Sequence, residues 1–481
     1  MREHAGAGRR RVTELLVALF SIVLAGVTIL DEVGPHDEGL VLAAAGRVAD
    51  GQLPYQDFWW NYGPGEAVAL AGLVALFGPS LLAWRIVRVL AGAAVAVLCV
   101  RLARRHGADE RWAAAAGVGA GSAVAWPLTP GPTVFALVPA LGALLVAARP
   151  GVRAPLLAGA LAAAAAWLRP ELGLAAGLGA LVLLPGHRGA LVAASVGAGA
   201  LLYAPFVLAD PAAFADDAVG FLGLQDLQRL PFPLDPPNDP NKAFEVLFPA
   251  LLLAATAAWV LLGRARPVAL IGFVAVGVAY LLARTDEFHL VPLAAVLAPA
   301  LAVGAARSAG ARRWLLGLAL AAVALHGVER QAGRLLNPPA LERVPGGVGD
   351  GVRTTAADAA ALRVLVPRVR ALGRPVLVLP PRMDRVRFGN PLLNVILDLP
   401  NPTRHDVIQP GVVTRDAAQA RMVADLIRTR ATVIRWRAPA AAVAEPNGAG
   451  RERGSRRLDA FVDRNYRRTF AAGDYVVFEP R

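Results

Sequence analysis

Long apolar runs separated by short polar ones fill the first two thirds of the chain. Candidate spans lie at 13–30, 84–103, 112–127, 132–148, 154–168, 172–185, 190–208, 245–263, 267–283, 290–306 and 314–328. A helix needs about 20 largely apolar residues to cross a hydrocarbon core about 30 Å thick, and these runs meet or approach that length. The run Ala67–Gly78, which follows Gly63-Pro64-Gly65, is too short to span comfortably and reads as a helix lying flat at the interface. Beyond Val328 the pattern changes. Residues 356–371 and 415–429 fit amphipathic helices, and 456–468 reads as an Arg-rich helix. Val376–Leu379, Thr432–Trp436 and Tyr475–Phe478 read as short strands. Residues 440–455, rich in Ala, Gly and Pro, read as a flexible insertion. The expected fold is a polytopic α-helical membrane protein of about eleven spans, over residues 1–328. A C-terminal soluble α/β domain with three layers follows over 329–481.

Composition agrees with that division. Of 481 residues, 56% are hydrophobic and 18% charged, where a soluble chain carries about 25% charged. The single cysteine, Cys99, excludes an internal disulfide. Basic residues are almost all arginine, with one lysine, Lys242. The net charge of +13 is unevenly distributed: residues 1–328 hold 23 basic and 21 acidic side chains, residues 329–481 hold 26 and 15. Arg9-Arg10-Arg11 ahead of the first span, with no small-x-small cleavage site before Asp31, reads as an uncleaved signal anchor.

Charge sorting selects the topology. With Ala67–Gly78 flat, the loops on one side collect about 16 basic and 3 acidic residues, and those on the other about 5 and 17. Lysine and arginine in short loops resist translocation, so the N-terminus is expected inside and the C-terminal domain outside the plasma membrane. A domain facing outward is not expected to meet nucleic acid. No glycine-rich phosphate loop, nucleophile elbow or metal-ligand spacing occurs in it.

Polar groups gather on the expected outer side. The first outer loop, 31–83, holds Asp31, Glu32, His36, Asp37, Glu38, Asp50, Asp57 and Glu66. Trp126-Pro127, Arg169-Pro170-Glu171, the long loop 209–244 and Arg284-Thr285-Asp286-Glu287-Phe288-His289 lie on the same side. The segments His36-Asp37-Glu38-Gly39, Ala45–Phe58 and Tyr62-Gly63-Pro64-Gly65 resemble the first outer loop of GT-C glycosyltransferases. The family 39 type, akin to protein mannosyltransferases and lipid A aminoarabinose transferases, is the most similar. In that layout an Asp, often Asp-Glu, follows the first span. A juxtamembrane helix and a span opened by Arg come next, here Ala67–Gly78 and Arg85. The resemblance is specific over residues 31–90.

It implies a GT-C-like membrane enzyme that moves a sugar from a polyprenyl-phosphate donor to a glycan, lipid or protein acceptor, by a single inverting displacement. Asp37 aligns with the family's catalytic Asp and would be the general base, with Glu38 orienting the acceptor or supporting Asp37. Arg85, Arg169, Arg284 and, more loosely, Lys242 would contact phosphate. Asp57, Tyr55, Glu171, Asp286 and His289 are further substrate-binding candidates. A divalent metal stays open as a cofactor, although His36, Asp37 and Glu38 lack diagnostic ligand spacing.

Each group also has a structural reading. Asp37 and Glu38 could be solvated loop acids, and Asp57 could cap a helix entry. Arg85 and Arg88 could snorkel, His289 could be structural, and Trp59, Trp60 and Tyr62 fit an aromatic belt. The rival function is a transporter or flippase for a lipid-linked or small polar substrate. No internal repeat supports it, and the acids lie at one face instead of mid-membrane. A noncatalytic envelope scaffold is the third reading.

Overall fold

The computed structural model describes residues 2–125, 133–224, 227, 229–230, 243–264, 268–284, 287–438, 447–448 and 453–481. Most of the expected insertion 440–455, and Trp126-Pro127, lie outside them. In chain order the first helices are α1 (Arg2–Gly26), α2 (Asp37–Ala49), α3 (Gly65–Phe77), α4 (Leu81–Arg105) and α5 (Glu110–Ala125). Next come α6 (Thr133–Ala147), α7 (Ala154–Leu168), α8 (Pro170–Leu183), α9 (Arg188–Ala209) and α10 (Ala243–Leu262). The apolar series ends with α11 (Ile271–Ala283), α12 (Glu287–Ala306) and α13 (Gly310–Leu336). Each of the eleven expected spans falls on one of these helices. Leu81–Arg105, Pro185–Ala209, His289–Ala306 and Gly310–Leu336 are long and apolar enough to cross a membrane, and six shorter apolar helices accompany them. The protein is a polytopic α-helical membrane protein with a C-terminal domain.

Two compact units form. The first comprises Met1–Ile29, Arg85–Ala204 and Phe232–Pro338. At its centre lies α12, in which Leu293 through Ala298 are wholly buried. It packs against α5, α10, α11 and α13. The interfaces depend on small residues: a Cβ on Gly327 of α13 would overlap the Ser122 carbonyl of α5, and one on Gly173 would overlap Ala166. Lipid tails are as apolar as leucine, so helices in a membrane gain little from hydrophobicity and associate through close backbone approach.

The second unit comprises Leu30–Trp84, Pro205–Pro231 and Pro339–Arg481, three stretches far apart in sequence. After short helical turns over residues 211–224, its elements are the antiparallel pair β1 (Leu341–Arg343) and β2 (Arg353–Thr355), then α14 (Ala356–Arg370) and β3 (Val376–Leu379). They continue with α15 (Leu392–Leu397), α16 (Asp416–Thr429), β4 (Thr432–Trp436), α17 (Arg457–Asn465), β5 (Tyr466–Ala472) and β6 (Tyr475–Pro480). The four-stranded sheet has the order β3-β4-β6-β5. Strands β3 and β4 run parallel, with Val376 opposite Thr432, while β6 pairs antiparallel with both β4 and β5. Thr355 caps α14 by accepting from the Asp358 N–H, which fixes where that helix starts.

Two expectations change here. The Arg-rich helix expected over 456–468 stops at Asn465, and Tyr466–Ala472 is an edge strand. Arg467 and Arg468 are exposed on it, as suits a strand with one edge in water. The aromatic belt is also not found: Trp59 and Trp60 are buried in the second unit's core with Tyr55, Phe58, Phe206 and Leu379. The short helix α3 belongs to this unit. Its 13 residues cover about 20 Å at 1.5 Å per residue, less than a hydrocarbon core.

Candidate active site

In the second unit, α2 opens with Asp37 and Glu38 in its first turn. Carboxylates are favoured there, because the unsatisfied N–H groups of a helix start carry partial positive charge. Asp37 is half-buried, whereas Glu38 is fully buried and accepts from the Gly34 N–H at 2.7 Å, closing the turn that leads into the helix. The Pro35 carbonyl accepts from the Leu392 N–H at 3.2 Å. The His36 ring lies 5.7 Å from that of Phe388, and its Nε2 is 3.2 Å from the Gln409 amide nitrogen. The first turn of α2 is thus held against residues 388–409.

Further along the first loop, Tyr55 and Asp57 build the chain path. Tyr55 is buried with a φ of 71°, and its hydroxyl donates to the Tyr62 carbonyl at 2.6 Å. Its ring packs edge-on against Phe206 and Phe214. Asp57 is exposed and accepts from the Leu53 N–H at 2.7 Å, which closes a turn.

In the first unit, a polar group gathers where α7 passes into α8. Arg169 donates to Glu171 Oε1 at 2.7 Å and to the Tyr280 hydroxyl oxygen at 2.7 Å, and Tyr280 in turn donates to Glu171. The guanidinium lies 5.7 Å from the centre of the Tyr280 ring, and the His289 ring lies 5.3 Å from it edge-on. Arg284, one helical turn beyond Tyr280, therefore sits at the same end of the bundle. Both arginines follow a helix end with nearly the same backbone, φ −143° and ψ 105° at Arg169, φ −144° and ψ 97° at Arg284. Tyr280 was not among the sequence candidates. A tyrosine inside an otherwise apolar helix, one turn from an arginine, is the local signal that marks it.

Arg85, the first residue of the helical unit's second stretch, is 1% exposed and donates to the Ile29 carbonyl at 2.7 Å. Arg88 is buried as well, so neither guanidinium spreads over the unit's outer surface. Lys242 and Asp286 lie outside the described residues.

Buried charge in the second unit was not expected from sequence. Arg47 of α2 pairs with Asp406 at 2.7 Å, Arg404 with Asp217 at 2.8 Å, and Arg435 with Asp459 at 2.7 Å. Burial pushes the Asp217 carboxyl up to about 7, against the pull of Arg404 and the Trp60 N–H. Burial, with Arg404, Arg421, Arg415 and Arg47 around it, pushes the His405 ring down to about 3. Among the described residues no group of three or more His, Cys, Asp or Glu side chains is arranged to hold a metal ion.

Neither a protein-family model nor a curated protein sequence matches the chain. Solved structures do. The crystal structure of ArnT from Cupriavidus metallidurans bound to undecaprenyl phosphate superposes with a TM-score of 0.55 and 14% sequence identity, covering 97% of this chain and 97% of ArnT. At that identity the likeness is one of fold, and over nearly its whole length the chain has the fold of ArnT.

Proposed function

We propose that the protein is an integral membrane glycosyltransferase that moves a sugar from a polyprenyl-phosphate donor to a cell-envelope acceptor on the outer face of the plasma membrane. The chain-long match to ArnT, a protein crystallised with undecaprenyl phosphate, carries this reading. The acids at the start of α2 and the arginine turns after α7 and α11 supply groups the chemistry needs.

In this reading an acceptor hydroxyl attacks the anomeric carbon as the bond from that carbon to the lipid phosphate oxygen breaks. One displacement inverts the anomeric centre. Asp37 takes the hydroxyl proton, a contribution of about 10²–10⁴ in rate for general bases. Glu38, buried and tied to Gly34, holds the first turn of α2 in shape. Arg169, Arg284 and Arg85 stabilise the charge that grows on the leaving phosphate, with Lys242 as a further cation. Guanidinium groups suit this task because their planar forks pair with two phosphate oxygens at once. Tyr280 and Glu171 fix the Arg169 side chain, while His289 and Asp286 are assigned to the donor head group. Tyr55 and Asp57 shape the loop that presents Asp37. The N-terminus lies inside and the second unit faces outward.

Membranes carrying the protein, supplied with a radiolabelled polyprenyl-phosphate sugar, test the reading. The label should move to an acceptor, or to water at a slow rate, with release of polyprenyl phosphate. Translocation of intact donor would establish a transporter instead, and binding without cleavage a scaffold.

A further inference from the structure

The second unit joins residues 339–481 to the first loop: Leu40 and Ala44 of α2 lie in its shared core, and specific contacts hold each end of the helix. At the N-terminal end, Leu392 donates its N–H to the Pro35 carbonyl at 3.2 Å. Gly39 meets the backbone of Leu392 so closely that any Cβ would overlap it. The residue must be glycine for α2 to lie there, although its φ is ordinary for a helix.

At the other end, Arg47 reaches the segment Asn401–Asp406. Its Nε pairs with Asp406 Oδ2 at 2.7 Å, and its Nη2 donates to the Thr403 carbonyl at 2.6 Å. Nη1 donates to Gln52 Oε1 at 3.0 Å, and the Phe58 ring centre lies 5.5 Å from the guanidinium carbon. Asp406 is fixed in turn by the Asn401 amide, which donates to Oδ1 at 2.8 Å. Both Arg47 and Asp406 are largely buried, with side chains 13% and 4% exposed. A buried ion pair adds little net stability, because desolvation offsets the attraction, but it does fix geometry. Helix α2 has 13 residues, and at 1.5 Å per residue its two grips, at Gly39 and Arg47, lie about 12 Å apart along it. A rigid helix held at both ends places every residue of its first turn.

We propose that residues 390–406 of the C-terminal domain clamp α2 at its two ends, through the Gly39–Leu392 seat and the Arg47–Asp406 pair, and thereby position Asp37. Arg47, Asp406 and Gly39 are positioning residues. They act through Asp37, about 15 Å from Arg47 along the helix at 1.5 Å per residue. This assigns the domain a role in the chemical step, and it rests on the reading of Asp37 as the base. Positioning matters because a general base must come within hydrogen-bond reach of the proton it removes.

The test uses the full-length protein in nanodiscs with a polyprenyl-phosphate sugar, reading donor cleavage as kcat and KM, with melting temperature alongside. Arg47→Ala and Asp406→Ala should each lower kcat at least tenfold and leave donor KM within twofold. The charge-exchanged double variant, Arg47→Asp with Asp406→Arg, should recover part of that loss. Gly39→Ala should lower kcat at least as much.

The decisive arm combines Arg47→Ala with Asp37→Asn. Residues that act as one unit are non-additive, so the double variant should cleave donor no more slowly than Asp37→Asn alone. A further tenfold loss in the double variant would overturn the proposal, as would unchanged kcat in Arg47→Ala and Asp406→Ala. A fully active Asp37→Asn variant would remove the base assignment instead, a result separable from the other two.

Discussion

The two units of the molecule solve the packing problem in opposite ways. The helical unit has a core of alanine, leucine, valine and glycine, with Ala294, Ala298 and Ala302 buried along α12. Its ionisable groups collect at helix ends, as at Arg169-Pro170-Glu171. The second unit buries Tyr55, Phe58, Trp59 and Trp60 together with three arginine–carboxylate pairs. The difference follows from the surroundings each core is built against. Where lipid covers the outside, burial of an apolar side chain gains little and close backbone contact decides. Where water does, large aromatic surfaces repay burial and can carry a few desolvated ion pairs with them.

The largest effect expected from this contrast lies in the second unit. Arg404 donates to Asp217 at 2.8 Å and to the Tyr55 carbonyl at 2.6 Å, so it ties three stretches of the unit together. Arg404→Ala leaves the fully buried Asp217 without its cation and, measured above pH 7 where the wild-type carboxyl is charged, should cost about 3–5 kcal/mol. Denaturant unfolding followed by tryptophan fluorescence should show it, since Trp59 and Trp60 lie in this core.

The next effect probes the helical unit. Gly327→Ala forces a methyl group against the Ser122 carbonyl and should cost about 1–3 kcal/mol. Gly177→Ala, in α8 with nothing within 4 Å of the added atom, should be neutral or stabilise by up to about 1 kcal/mol. Thermal melts in one detergent compare the two. Equal effects would mean that close backbone contact is not what holds this unit together.

A smaller effect is a pair of opposed pH dependences. Burial keeps His405 neutral until about pH 3, whereas its unfolded counterpart titrates near 6.5. The unfolded chain therefore binds the extra proton between these values, and this histidine makes stability rise with pH across that window. Asp217 does the reverse. It keeps its proton up to about 7 when folded and loses it near 3.8 when unfolded, so its contribution falls as pH rises between them. Each slope is at most about 1.4 kcal/mol per pH unit. Relative to the wild type, His405→Gln should melt progressively lower as pH rises from about 4 to 6.5, and Asp217→Asn progressively higher.

Much of the architecture was legible in the residue pattern, for reasons particular elements make plain. Val376–Leu379 and Thr432–Trp436 are fully buried strands, and short apolar runs bounded by turn residues have few other uses in a charged region. The spans were legible because lipid imposes a length. Tyr466–Ala472 was not, since an edge strand with Arg467 and Arg468 in water carries no apolar run. The ion pairs were invisible for a different reason: Arg47 and Asp406 are 359 positions apart, and no local pattern joins them. Of the site, the Asp37-Glu38 pair and the two arginine turns could be read from loop composition. Tyr280 and the seat of α2 on Leu392 needed coordinates.

The central claim is that Asp37 is the base of a sugar transfer. Cleavage of a polyprenyl-phosphate sugar by purified Asp37→Asn protein, at wild-type expression and melting temperature, tests it most directly. The account predicts a fall in kcat of about 10²–10⁴ with donor binding retained. Wild-type turnover in that variant would contradict it.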